Sequence, residues 1–205
     1  MLDFVAKTPV AEIHLFDRDV FLNHNAFRCP GAPSLDELGQ KQTKVDYLAR
    51  IYSRMRKKII PHNYFIDELT IEQLKEMSFV FICTDKGTGK RLIVERLQEW
   101  SIPFIDVGMG IQLGEDNTLG GIVTVTTSTA NKRDHVSSRT AFSDGEAVNE
   151  YSNNVQISEL NALNAALAVI KWKKLCRYFD DVTKEHYSAY TIRSNLLISE
   201  DVHET

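Results

Sequence analysis

IHLFDRDVFLNHNAFR, residues 13–28, decides how this chain is read. Its first part is a short apolar run that ends on Asp17, with Asp19 next and Asn25 and Arg28 at six and nine residues beyond Asp19. In an open α/β sheet, ligands bind beyond the carboxyl ends of the strands, where an acid can take ribose hydroxyls and an arginine can take phosphate. The stretch therefore reads as a strand leading into a nucleotide site. An aspartate at a strand end also caps ordinary turns, and it is Asn25 and Arg28 in register behind it that favour the nucleotide. In dinucleotide-type folds such an acid lies about 20 residues after a glycine-rich phosphate loop. Here Asp17 has 16 residues before it and the first glycine is Gly31. The chain is expected to start inside its own fold, with a strand and its loop upstream of Met1.

Working outward, MLDFVAKTP reads as the last turns of an amphipathic helix, with Leu2, Val5 and Ala6 on one side and Pro9 just past its end. It lacks the basic region and long apolar stretch of a signal peptide. Downstream, short apolar runs mark further strands: KIIPHNYFI near 58–66, FVFICTD at 79–85, PFIDVGMG at 103–110 and GIVTVTTS at 121–128. Helical spacing falls between them, from Lys44 to Arg56 (Val45, Leu48, Tyr52, Met55) and from Lys90 to Trp100. Such alternation predicts a Rossmann-like α/β fold, a mostly parallel sheet with helices on both faces. A helix capped by Ser158, with Leu160, Leu163, Leu167 and Ile170 as its stripe, is followed by HYSAYTIRSNLLIS, which alternates as antiparallel strands added toward the C-terminus. Residues 129–154, rich in Ser, Asn, Asp and Arg, read as a long mobile loop.

The totals set bounds on function. A chain of 205 residues, 43% hydrophobic, suits one domain spanning 1–205. A net charge of -4 and a pI near 5.9 argue against a nucleic-acid or anionic-membrane surface, and no run approaches the roughly 20 apolar residues of a membrane span. Cys29, Cys83 and Cys176 are odd in number and far apart, so neither a disulfide framework nor a paired-cysteine zinc site is expected. A reducing cytoplasm is the expected compartment. Six histidines show no repeated ligand spacing. The basic run RMRKK, 54–58, reads as a solvated helix end.

The ordered set LFDRDVFLNHNAFR (15–28), QTKVDYLARI (42–51), FICTD (81–85) and PFIDVGMG (103–110) resembles the ThiF/MoeB-like adenylyltransferases of molybdopterin and thiamine biosynthesis and the ubiquitin-activating enzymes. The resemblance covers residues 1 to about 176. It implies ATP and magnesium as cofactors, with Asp17 on the ribose, Asn25, Arg28 and Lys44 on the triphosphate, and Asp85 on the metal. It implies adenylylation of the C-terminal carboxylate of a ubiquitin-like or sulfur-carrier protein, Arg28 and Asp85 being the catalytic pair, and a homodimer. It places a crossover segment over the bound peptide tail at 129–154. The chemistry is coherent: attack of a carboxylate on an α-phosphate gathers negative charge that fixed cations must offset.

This sequence departs from the family pattern at several points. No glycine-rich loop precedes Asp17, Lys86 stands where an asparagine is usual, and the two CxxC zinc pairs of many relatives are missing, so no zinc is expected. A different class of function is also compatible: a non-catalytic dimerisation or binding module that keeps the fold. A nicotinamide-dependent oxidoreductase shares the strand-end acid but leaves Asn25, Arg28 and Lys44 without a role.

Overall fold

A computed structural model describes residues 1–84, 87–114, 116–140, 142 and 157–200. Strands β1 (Ile13–Phe16) and β2 (Ile59–His62) pair in parallel as a two-stranded sheet. Strands β3 (Val80–Ile82), β4 (Phe104–Leu113), β5 (Leu119–Ser128), β6 (Tyr187–Thr191) and β7 (Leu196–Glu200) form a second sheet in that spatial order. β3 and β4 are parallel, and from β4 onward every pairing is antiparallel. Parallel neighbours require a crossover, and the helices supply it: α4 (Lys44–Tyr52) precedes β2 and α5 (Thr88–Glu99) joins β3 to β4. The fold is mixed α/β.

Local chemistry sets the helix ends. Thr43 caps α4, its hydroxyl accepting from Asp46 N at 3.2 Å. This helix stops at Tyr52, short of the expected Arg56, so Val45 and Tyr52 are buried while Met55 is exposed. Arg56 is not a solvated helix residue: its guanidinium donates to the carbonyls of Ala6, Thr8 and Val10, pinning the link between α1 (Leu2–Val5) and β1. α5 starts at Thr88, two residues ahead of expectation, because Gly87 adopts φ 109, a conformation open to glycine, and turns the chain into the helix.

The long helix α7 (Ser158–Leu175) lies against β4 and β5. Ile157 occupies the capping position and Ser158 is already helical, contrary to the expected Ser158 cap. Its buried face also differs from the leucine stripe, since Ile170 is exposed whereas Leu160, Ala165, Ala168 and Val169 are buried. Small residues let the helix approach closely: Asn164 Nδ2 donates to Gly108 O at 2.8 Å, and a Cβ at Gly121 would lie 2.7 Å from Leu160 Cδ1. Leu97, Phe104, Ile105 and Val123 are fully excluded from solvent and centre the core on β4, β5 and α5. Met1 packs with Phe79, Phe81 and Trp172 around Ile105, while Phe16 packs into the cluster of Leu74, Ile82 and Leu97, so the two sheets are tied together. The antiparallel tail occurs as expected, in register Tyr187↔Glu200 to Thr191↔Leu196. Of the anticipated loop, Thr129 and Lys132 form an isolated bridge and Val136–Arg139 a short helix, α6; residues 141 and 143–154 lie outside the described residues. Among the described residues no helix is long and apolar enough to cross a membrane.

Candidate nucleotide site

Asp17 follows β1 directly, and its backbone N–H still bonds to His62 O at 3.2 Å, so the strand geometry delivers its carboxylate to the sheet's carboxyl end. Oδ1 accepts from Asp19 N at 2.7 Å, the turn-capping role an aspartate has by default. The turn sends the chain back along the segment before α4: Phe21 N donates to Gln42 O and Lys44 N to Asp19 O, both at 2.8 Å. That pairing brings Lys44, distant in sequence, to the strand end. Lys44 Nζ lies 2.7 Å from Asp19 Oδ2 and 3.4 Å from Asp17 Oδ2.

Asn25 is buried in the short helix α2 (Asn23–Ala26), and its Oδ1 accepts from Leu22 N at 2.8 Å. This bond fixes the loop after Asp19. Arg28 follows one turn later, and its side chain makes no hydrogen bond or ion pair with the described residues, leaving a part-exposed guanidinium available to an anion. Asp17, Asn25, Arg28 and Lys44 all line one cleft of about 2370 Å³, together with Thr84 and Lys90. Asp85, the expected metal ligand, and Lys86 lie outside the described residues. Among the described residues no three His, Cys, Asp or Glu side chains converge as metal ligands.

Two features of this cleft escaped sequence reasoning. Lys90 Nζ and Asp106 Oδ1 form an ion pair at 2.7 Å with both side chains nearly solvent-free. Burial pushes the Asp106 carboxyl up, opposed by Lys90. A charged residue inside the apolar run PFIDVGMG was the available signal. The second is an aromatic and imidazole wall across β1 and β2: His14 Nδ1 lies 3.0 Å from His62 Nε2, His62 Nδ1 lies 3.0 Å from the Tyr64 hydroxyl, and Phe16 stacks on His62 at 4.3 Å. Burial, then the neighbouring His14, lowers the His62 pKa. Strand register alone creates this wall, since Phe16 and His62 are direct partners, and no spacing within one segment reveals it.

The cysteines differ from expectation in one respect. β3 ends at Ile82, so Cys83 sits past the strand and is exposed. Cys29, next to Arg28, has its thiol pushed up by burial, the behaviour of a packed thiol and not of an activated one.

Several solved structures share this fold. E. coli MccB with MccA-N7isoASN superposes with a TM-score of 0.69 at 12% identity, over 98% of this chain and 60% of that one. PaaA superposes with a TM-score of 0.69 at 14% identity, over 98% and 67%. E. coli MccB with ATP gives 0.66 at 15% identity, over 98% and 59%. The microcin C7 biosynthetic enzyme MccB has also been solved with N-formylated MccA, and that structure matches with a TM-score of 0.68. No family model matches the sequence, and no curated protein matches it. The chain spans about 60% of the length of the MccB chains it matches. Likeness at such identities establishes the fold: this chain has the Rossmann-like α/β architecture also found in MccB and PaaA.

Proposed function

We propose that the cleft binds ATP with magnesium and belongs to an enzyme that adenylylates the C-terminal carboxylate of a peptide or small protein, of the ubiquitin-like or sulfur-carrier type in the family the sequence resembles. The observation that carries the reading is Lys44, distant in sequence, meeting Asp17 and Asp19 at the carboxyl end of β1, in a cleft that Asn25 and Arg28 also line. Supporting it, MccB of the same fold has been crystallised with ATP and with the peptide MccA.

In this reading Asp17 accepts the ribose hydroxyls through Oδ2, while Arg28 and the Asn25 amide hold phosphate oxygens. Lys44 is held by Asp17 and Asp19 until phosphate competes for its ammonium, which keeps a part-buried cation in place beforehand. A peptide carboxylate oxygen attacks the α-phosphorus, the bond to the β-phosphate oxygen breaks, and pyrophosphate leaves with the electron pair. Magnesium takes one or two carboxylates plus phosphate oxygens, and Asp85 is the residue assigned to it from the sequence. A homodimer and the crossover role of 129–154 belong to the same proposal.

Calorimetry tests the reading. ATP with magnesium binds and NAD does not; Asp17→Ala, which removes a charged acceptor worth roughly 1.5–3 kcal/mol, weakens ATP binding about tenfold or more. Equal ATP affinity for wild type and Asp17→Ala, or preference for NAD, would overturn it.

A further inference from the structure

We propose that His14 and His62 form a two-step proton switch across the β1–β2 pair: one proton, on His14, is accommodated, and a second, on His62, opens the pair next to Asp17. The hydrogen-bond directions carry the inference. The Tyr64 hydroxyl donates to Gln73 Oε1, so its oxygen accepts from His62 Nδ1–H at 3.0 Å. A neutral imidazole has one N–H, which leaves His62 Nε2 as an acceptor. It lies 3.0 Å from His14 Nδ1, which therefore carries the hydrogen between them. His14 Nε2 is then bare and 3.6 Å from Glu12 Oε2. Two electron-rich atoms face each other there, and a proton on Nε2 turns the contact into an ion pair while every other bond in the row keeps its direction.

A second proton has no such place. On His62 Nε2 it points at the His14 Nδ1–H, setting two donors and two cations against each other in rings stacked 5.2 Å apart. Of the surrounding charges, Lys58 ahead of β2 competes for Glu12, and Asp17 beyond Phe16 is engaged with Lys44. Glu76 of the 3-10 helix Ile71–Glu76 and Lys90 of α5 line the same cleft, Lys90 being paired with Asp106. Burial and then the neighbouring His14 oppose charge on His62. A histidine that resists protonation when folded costs stability as the pH falls below its ordinary value of 6.5. The cost falls on the strand end: His62 is the register partner of Phe16, stacks on its ring at 4.3 Å, and accepts the Asp17 N–H at 3.2 Å. Neutral His62 thus holds the point from which Asp17 enters the cleft.

The inference goes beyond the nucleotide proposal and does not rest on it, so its test is run without nucleotide. Proton–nitrogen correlation spectra of the histidine rings show which nitrogen carries a proton. At pH 8, His62 is expected in the Nδ1–H form. On acidification His14 should gain its Nε2 proton first, and His62 Nε2 should be protonated only at lower pH. The protection factor of the Asp17 amide should stay level through the first step and fall through the second, by up to about tenfold per pH unit, the linkage limit for one proton. His62→Phe, which keeps a ring to stack on Phe16, should remove that fall. His62 in the Nε2–H form at pH 8, protonation of His62 ahead of His14, or Asp17 protection that declines equally in wild type and His62→Phe would overturn the proposal. Should His62→Phe fail to fold, the order of the two protonations in the wild-type spectra decides alone.

Discussion

Replacing Lys90 with methionine removes half of a buried ion pair while keeping most of the side chain's volume. The partners lie 2.7 Å apart with side chains 2% and 4% exposed, so little solvent is available to compensate Asp106. Breaking such a pair from one side costs roughly 3–5 kcal/mol, a large part of the 5–15 kcal/mol by which domains are typically stable. At about 2–4 °C per kcal/mol for a chain of this size, Tm is expected to fall by roughly 6–20 °C. The deficit depends on pH. Burial already raises the Asp106 carboxyl, and Lys90 is the principal group opposing that rise. Without Lys90, a folded-state pKa above the unfolded one penalises the native state once the pH exceeds the unfolded value, near 4. The Lys90→Met deficit should therefore be smaller at pH 5 than at pH 7. Urea denaturation at both pH values, with Lys90→Met/Asp106→Leu alongside, measures each effect. The double variant should recover most of the loss, because an apolar pair can replace a buried ion pair with little cost. A single variant within about 1 kcal/mol of wild type at pH 7, or a double variant no better than the single, would refute the reasoning.

Two further outcomes are expected. Burial would raise Asp181, but Lys171 at 2.9 Å and Lys174 at 3.4 Å outweigh it and hold the carboxyl at about 2. A depressed folded pKa stabilises above the unfolded value and is lost as pH falls through the folded one, so Asp181→Asn should cost about 1–2 kcal/mol at pH 7, after allowance for solvent screening, and only a small part of that near pH 2; an equal cost at both would contradict it. Burial raises the Cys29 thiol, so iodoacetamide should modify it more slowly than free cysteine at pH 8, as read by peptide mass spectrometry, and faster labelling would show an activated thiol.

Periodicity located the strands and the longer helices, the runs at 80–82 and 104–106 being strands that bury Ile82, Phe104 and Ile105, whereas the short helices α2 and α6 carry no apolar period to find. It erred where local and tertiary terms compete. The helical pattern continued through Met55, yet Arg56 is drawn away to the carbonyls after α1, and α4 stops at Tyr52. Ile170 fits a leucine stripe, but close approach to Gly108 and Gly121 selects the alanine face of α7 instead.

By itself, the sequence determined the α/β class and set Asp17 at the end of a strand, because strand ends are features that a one-dimensional pattern records. Only the tertiary structure decided what the site residues meet. The Lys44 contact with Asp17 and Asp19, the Lys90–Asp106 pair and the His14–His62 wall each join segments brought together by strand register and helix docking.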